Sequence, residues 1–121
     1  MTTALKVVTP VKLVFDGQAE LVIAVTTEGE EGILPRHAPL LAALKPGVLR
    51  ADVVEPERKR LELATSEGFM QALPDRVTIL VDEAVTFEEV DVAQTRAELT
   101  AATDRSAIDF ANAKLRLTGH H

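Results

Sequence analysis

The chain has no cysteine, no tryptophan and no tyrosine. Without cysteine there is no disulfide, no thiolate metal site and no cysteine nucleophile, which suits a reducing compartment. Aromatic residues make up only 3% of the chain, so stacking platforms for single-stranded nucleic acid are absent. Cations are in the minority and the net charge is −6, which disfavours a phosphate backbone as partner. No stretch approaches the roughly 20 apolar residues that span a bilayer. The N-terminus lacks the basic-then-apolar layout of a secretory leader. The sequence therefore predicts neither nucleic-acid binding nor direct membrane insertion. It contains no Gly-x-x-x-x-Gly-Lys loop and no Gly-x-Ser-x-Gly elbow.

What is present is 121 residues, 46% of them hydrophobic, the size of one domain or of one domain with an appendage. The core must be built from Val, Leu, Ile and Ala. From Leu5 to Val85 the apolar pattern is mostly period two. Val11, Leu13 and Phe15 alternate with polar residues, as do Ala19, Leu21, Ile23 and Val25; Leu49, Ala51 and Val53; Leu61 and Leu63; Val77, Ile79 and Val81. Such alternation turns one face of each strand inward. Val14, Val22 and Leu80 fall on the polar faces and need a second sheet, the helices or a partner to cover them.

Turn signals separate the runs: Asp16-Gly17, Lys45-Pro46-Gly47, Glu55-Pro56-Glu57, Glu67-Gly68 and Pro74-Asp75. About eight to ten strands of typical length fit this stretch. The prediction is a β-sandwich of about ten strands in two sheets, spanning residues 1–87.

Residues 88–121 differ in character. Glu88 to Leu117 carries neither Pro nor Gly and predicts a helical hairpin. Asp91 is a candidate cap for the first helix. Val92, Leu99 and Thr103 share one of its faces; Ala93, Ala97 and Ala101 form a small-residue stripe suited to close approach by another helix. Asp104-Arg105-Ser106 reads as a tight turn, with Ser106 and Asp109 as a variant capping box. The second helix is expected from about Ala107 to Thr118, with Gly119 as its stop. At about 100° per residue its apolar side chains fall on two opposite sides, Ile108, Ala111 and Leu115 against Phe110, Ala113 and Leu117. Such a helix needs two partners. Helices this short are marginal alone, below about 12 to 15 residues, so the hairpin depends on packing and is able to detach.

The most specific stretch is residues 26–41, Thr-Thr-Glu-Gly-Glu-Glu-Gly-Ile-Leu-Pro-Arg-His-Ala-Pro-Leu-Leu. Its glycines and prolines predict a shaped connection that displays Glu28, Glu30, Glu31, Arg36 and His37. Carboxylates beside a histidine are the raw material of acid–base catalysis or metal binding. No second histidine cluster completes a zinc site, and His120 and His121 are terminal, so an exposed acidic loop is the plainer reading. Thr65-Ser66-Glu67-Gly68 reads as a turn. Arg58-Lys59-Arg60, flanked by Glu55, Glu57 and Glu62, reads as a solvated hairpin.

The same stretch resembles the signature loop of the epsilon subunit of F-type ATP synthases, roughly Thr/Ser-x-Gly-Glu-x-Gly-Ile-x-Pro-x-His-x-Pro-Leu. The chain matches at Gly29, Glu30, Gly32, Ile33, Pro35, His37, Pro39 and Leu40. Further likeness lies in Lys45-Pro46-Gly47-Val48-Leu49-Arg50, Gly68-Phe69 and Val77-Thr78-Ile79-Leu80-Val81. The resemblance implies a ten-stranded sandwich with a C-terminal hairpin. It implies a non-catalytic rotor subunit without cofactor or metal, at the foot of the central stalk. There it binds the gamma subunit and the polar loops of the c-ring, peripheral to the cytoplasmic face of a bacterial cell membrane. Glu30, Glu31, Arg36 and His37 become the partner-contact residues, and Gly29, Gly32, Pro35 and Pro39 the loop's structural residues. The resemblance implies that the hairpin can extend toward the catalytic alpha and beta subunits, as it does in many bacterial members where it inhibits ATP hydrolysis; strong inhibition is not expected here, because the second helix is short and Lys114 and Arg116 are its only cations.

Relatives that bind ATP show Ile/Leu-Asp-x-x-Arg-Ala at the start of the first helix. Here the stretch is Val90-Asp91-Val92-Ala93-Gln94-Thr95, with glutamine in place of the arginine. Asp91 and Arg96 are the remaining nucleotide candidates, and Arg96 is displaced by two positions, about 200° around the helix. Nucleotide binding is expected to be weak. The rival reading is a stand-alone β-sandwich adaptor or ligand-binding module with the same architecture. A third is an enzyme using His37 and the adjacent glutamates.

Overall fold

The computed structural model describes residues 1–119; His120 and His121 lie outside the described residues. Nine strands come first: β1 (Thr3–Val8), β2 (Leu13–Thr26), β3 (Gly29–Ile33), β4 (Leu40–Leu44), β5 (Gly47–Glu55), β6 (Lys59–Thr65), β7 (Gly68–Leu73), β8 (Arg76–Val81) and β9 (Ala84–Val85). A single 3₁₀ turn at Phe87–Glu89 leads into α1 (Val92–Ala101) and α2 (Arg105–Leu117). The fold is a β-sandwich followed by two helices, with nine strands among the described residues where about ten were expected.

The two layers are not separate sheets. Hydrogen bonding runs through β1-β8-β7-β4-β2-β5-β6-β9, with β3 and β1 also paired to β2. The strand β2, 14 residues long, belongs to both layers. Its first part pairs with β1, and its second part lies between β3 and β5. All pairings are antiparallel except β1 with β8.

The expected break at Asp16-Gly17 is absent, because Gly17 serves close approach and not a turn. A Cβ at Gly17 would run into the Glu55 carbonyl oxygen and lie 2.7 Å from the Phe15 ring. Register shifts between Gln18 and Ala19 and between Ala19 and Leu21 then change which side chains face inward. Ala19 is buried, but beyond the bulge the buried set is Val22, Ala24 and Thr26. Leu21, Ile23 and Val25, expected inside, are only half-buried. Val11 and Leu13, also expected inside, are 87% and 54% exposed. Runs free of a register shift follow the predicted alternation: Leu49, Ala51 and Val53, then Leu63, then Val77, Ile79 and Val81 are all buried, while Leu61, also expected inside, is half-buried. The core they form with Leu5, Val7, Ile33 and Met70 is aliphatic.

Both helices start on aspartate caps. The Asp91 carboxylate accepts from the Gln94 N–H at 3.0 Å, and the Asp104 carboxylate accepts from the Ala107 N–H at 2.8 Å. The second cap is thus Asp104 and not Ser106, so α2 begins earlier than expected. Gly119, with φ 79°, follows the C-cap Thr118. Phe110 and Ala113 of α2 pack with Ala64, flanked by Val48, Val85 and Leu117. Ala111 and Leu115, on the helix's other side, are buried as well. This is the predicted two-sided helix, in contact with β5 and β6 and with α1. The stripe Ala93, Ala97 and Ala101 faces solvent, contrary to expectation. The buried side chain of α1 is Thr95, whose hydroxyl donates to the Asp91 carbonyl at 2.7 Å.

Candidate functional site

The acidic stretch is a strand and not a free loop. β3 pairs with β2 from Val22↔Ile33 to Thr26↔Gly29. The turn between them needs Gly29, whose φ of 118° strains any L side chain. Thr26 closes this turn, its hydroxyl donating to the Gly29 carbonyl at 2.7 Å and accepting from the Glu28 N–H. Gly32 has no such need: it lacks a positive φ, and an added Cβ would meet only Leu21 Cδ1, at 3.9 Å. Pro35 lies in the turn Leu34–His37, which the His37 N–H closes by donating to the Leu34 carbonyl. Pro39 is exposed and leads into β4.

Because β3 alternates, its two central glutamates point to opposite faces. Glu30 meets Arg50 of β5 at 3.0 Å. Glu30 and Arg50 share a groove with Glu62, Arg116 and Leu117, on the side where α2 packs. Glu31 lies 3.7 Å from His37 Nε2. Since His37 Nδ1 donates to the Ala38 carbonyl at 2.6 Å, Nε2 carries a proton toward Glu31 only in the imidazolium. Arg36 is exposed, with a positive φ of 67°. The structure thus joins Glu30 with Arg50 and Glu31 with His37, and leaves Arg36 apart. Among the described residues no group of three or more His, Asp or Glu side chains is placed to hold a metal.

The sequence reading singled out Leu80 but not the surface it belongs to. On the outer face of β4, β7, β8 and β1, the register lines up Ala43, Phe69, Leu80 and Val8 in one cross-strand row. Phe69 and Leu80 are 57% and 50% exposed, and they line an open groove of about 650 Å³ with Val8, Pro10, Ala43 and Leu44. α2 packs on β5 and β6, not here. Leu80, an apolar residue in a polar position, was the available signal; Phe69 carried the same one.

The nucleotide candidates do not converge. The Asp91 carboxylate is engaged as a cap, and Arg96 lies outside the small cavity that Asp91 lines with Glu89, Gln94, Glu98 and Lys114. Lys114 pairs with Glu98 at 2.8 Å and lies 4.7 Å above the Phe110 ring. The other sequence signals behave as solvated or local structure. Arg58 meets Glu20 and Lys59 meets Glu57, while the Ser66 hydroxyl accepts from the Glu83 N–H at 2.8 Å.

A family profile described as "ATP synthase, Delta/Epsilon chain, beta-sandwich domain" matches residues 2–87. The chain belongs to this ATP synthase family. It is 42% identical over 99 residues to the ATP synthase epsilon chain of Chromobacterium violaceum, covering 82% of this chain and 70% of that one. It is 40% identical over 121 residues to the epsilon chain of Desulforamulus reducens, covering 96% and 89%. Among solved structures the fold resembles a chain of the Euglena gracilis mitochondrial ATP synthase (OSCP/F1/c-ring, rotational state 1). The TM-score is 0.68 at 22% identity, over 98% of this chain and 78% of that one. A chain of the Tetrahymena thermophila mitochondrial ATP synthase central stalk and c-ring gives 0.69 at 19% identity, over 98% and 95%. Membership of the ATP synthase family makes the chain a non-catalytic stalk subunit, so the enzyme and stand-alone adaptor readings fall away. No helix among the described residues is long and apolar enough to cross a membrane.

Proposed function

We propose that this ATP synthase chain joins the gamma subunit to the c-ring and so couples proton flow to rotation, at the cytoplasmic face of a bacterial membrane. The observation that carries the reading is the family match across the whole sandwich. The apolar row of Phe69 and Leu80 supports attachment of a protein, and we assign it to gamma. The β3 strand and the following turn, with Glu30, Glu31, Arg36 and His37, are assigned to the c-ring. The hairpin is assigned a regulatory role, since its docking rests on one face of α2 and its release would expose that face to the catalytic alpha and beta subunits.

The test is co-purification with gamma and ATP-driven proton pumping in the reassembled complex. Phe69→Glu with Leu80→Glu should abolish gamma binding and leave the melting temperature nearly unchanged, because both side chains are already exposed. Glu30→Ala with His37→Ala should leave gamma binding intact and weaken pumping. Undiminished gamma binding by the Phe69/Leu80 variant would refute the assignment of that face.

A further inference from the structure

The turn between β6 and β7 and the turn between β8 and β9 form one wall between two recesses. Beyond the terminal pair of β7 with β8, Gly68↔Val81, the register brings Glu67 and Asp82 to the same end of the sheet. Ser66 ties the two turns together. Its N–H donates to the Glu83 carbonyl at 2.9 Å, and its buried hydroxyl accepts from the Glu83 N–H. On one side Glu67 and Asp82 line the apolar groove of Phe69 and Leu80. On the other side the same two residues line a cleft of about 390 Å³ against the hairpin.

The two recesses are charged in complementary ways. Among the described residues no cation lines the groove, and its two carboxylates stand at one end of an apolar floor. Across the cleft, the hairpin faces Glu67, Asp82 and Glu83 with Glu98 and Asp104, and Lys114 is the only described cation lining it. That lysine is already engaged by Glu98 at 2.8 Å. Docking of the hairpin therefore brings carboxylates toward carboxylates, a repulsion that salt screens.

We propose that the gamma subunit seats a lysine or arginine between Glu67 and Asp82, with apolar neighbours on Phe69 and Leu80, and that this cation favours the docked hairpin. The occupant follows from complementarity: an apolar floor that ends in two carboxylates fits an apolar segment that ends in a cation. A positive charge on the groove side offsets the wall's charge for the cleft as well, because the same two residues line both. By linkage, the docked hairpin strengthens gamma binding by the same factor. The inference rests on the assignment of the groove to gamma.

The experiment uses the full chain, its Glu67→Gln/Asp82→Asn variant and the purified gamma subunit of the same complex, at low and high salt. Affinity is read by titration and hairpin docking by amide exchange in α2, with β8 as the control for an intact sandwich. Gamma is expected to bind the variant about tenfold more weakly than wild type at low salt, with the gap closing at high salt. In the free variant α2 should exchange about two- to fivefold more slowly than in wild type at low salt, because the wall no longer repels the hairpin. Gamma should slow α2 exchange in wild type and leave it unchanged in the variant. Glu67→Lys serves as a second variant: its own cation should slow α2 exchange in the free chain while weakening gamma binding, opposite changes that a folding defect does not produce. A Gln/Asn variant bound as tightly as wild type overturns the inference and leaves attachment to gamma standing. So does a wild-type hairpin whose exchange gamma quickens or leaves unchanged. An affinity gap of equal size at both salts, or faster exchange in β8 of both variants, shows a structural role and also overturns it. A wild-type chain that does not bind gamma at either salt overturns both.

Discussion

The sandwich and the hairpin are stabilised in different ways. The sandwich closes on itself: β2 belongs to both layers, and Leu5, Val7, Ile33, Leu63, Met70 and Ile79 are fully or almost fully buried. The hairpin is held from one side. Of α1 only Thr95 is buried, and α2 relies on Phe110 and Ala113 against Ala64. Apolar burial is roughly proportional to area, so the first region resists opening as a unit and the second opens by losing one patch. From where the buried side chains are, we expect a fixed body with a removable arm.

The largest effects should separate the two regions. Ile79→Ala is expected to cost about 2–5 kcal/mol, read as a shift of the urea midpoint, because the vacated volume lies in a closed core. Phe110→Ala removes a larger side chain, yet its cost is capped by the free energy of docking the hairpin. Once the hairpin is off, the sandwich feels no further loss. Hydrogen exchange should then speed up in α1 and α2 and stay slow in β8. Deleting residues 88–121 should likewise leave one cooperative unfolding transition. Loss of cooperativity on deletion would mean that the two regions are one folding unit.

Next in size is the link between the two helices. Lys114 bonds Glu98 of α1 while stacking on Phe110, which itself packs on the sandwich. Replacing Lys114 with Met keeps the apolar stem and removes the charge. The expected loss is about 0.5–1 kcal/mol, the scale of a half-exposed pair with a cation–π contact. It should appear as faster amide exchange in α1 with no change in β8. Unchanged exchange would show that helix contact alone holds α1 in place.

A smaller effect belongs to the linker. The Thr86 N–H and hydroxyl both donate to Glu89, and Lys12 stands 3.8 Å away. The Thr86 bonds first, and Lys12 after them, hold the Glu89 carboxyl below its ordinary value of 4.5. A depressed folded-state pKa contributes stability above the unfolded value that is lost as pH falls through the folded one. The side chain is largely solvated, so the contribution is no more than a few tenths of a kcal/mol. Below pH 4.5 the wild-type linker should loosen and a Glu89→Gln linker should show no such step. Identical acid responses would remove Glu89 from the junction.

The same contrast explains what the sequence revealed. Alternation located the core of β5, β6 and β8 because those strands have no bulge before their buried residues. It failed in β2, where Gly17 looked like a turn and the bulges reversed the inward parity. Two-sidedness of α2 was legible from Phe110, Ala111, Ala113 and Leu115. The solvent-facing Ala93, Ala97 and Ala101 were not, because small residues suit close packing and exposed helix equally. At the candidate site, Gly29 and Gly32 suggested a loop although only Gly29 needs its special backbone. The positive φ of Arg36 had no sequence signal at all, since arginine is not a turn residue. Leu80 was visible as an apolar residue on a polar face and Phe69 only within the Gly68-Phe69 likeness, and their cross-strand row required the register.

The smallest expected effect is that of MgATP. A triphosphate needs fixed cations or oriented amides. The tail offers Arg96, Arg105, Lys114 and Arg116 against Glu88, Glu89, Asp91, Glu98, Asp104 and Asp109. Of the cations, Lys114 is engaged by Glu98 and Arg105 stands 3.6 Å from Asp109. Arg96 does not line the cavity that holds Asp91, and Arg116 belongs to the groove with Glu30 and Glu62. The N-terminal amides of α1 and α2, which in another helix would face phosphate, are capped by Asp91 and Asp104. Phosphate would have to displace an aspartate of its own sign at either end. Titration of the full chain with MgATP is therefore expected to give a dissociation constant of millimolar or weaker, about −4 kcal/mol. It should not change amide exchange in the hairpin. A micromolar constant would show that the hairpin rearranges to bring Arg96 or Arg105 onto the phosphates. Docking of the arm would then be set by nucleotide and not by the Lys114 link.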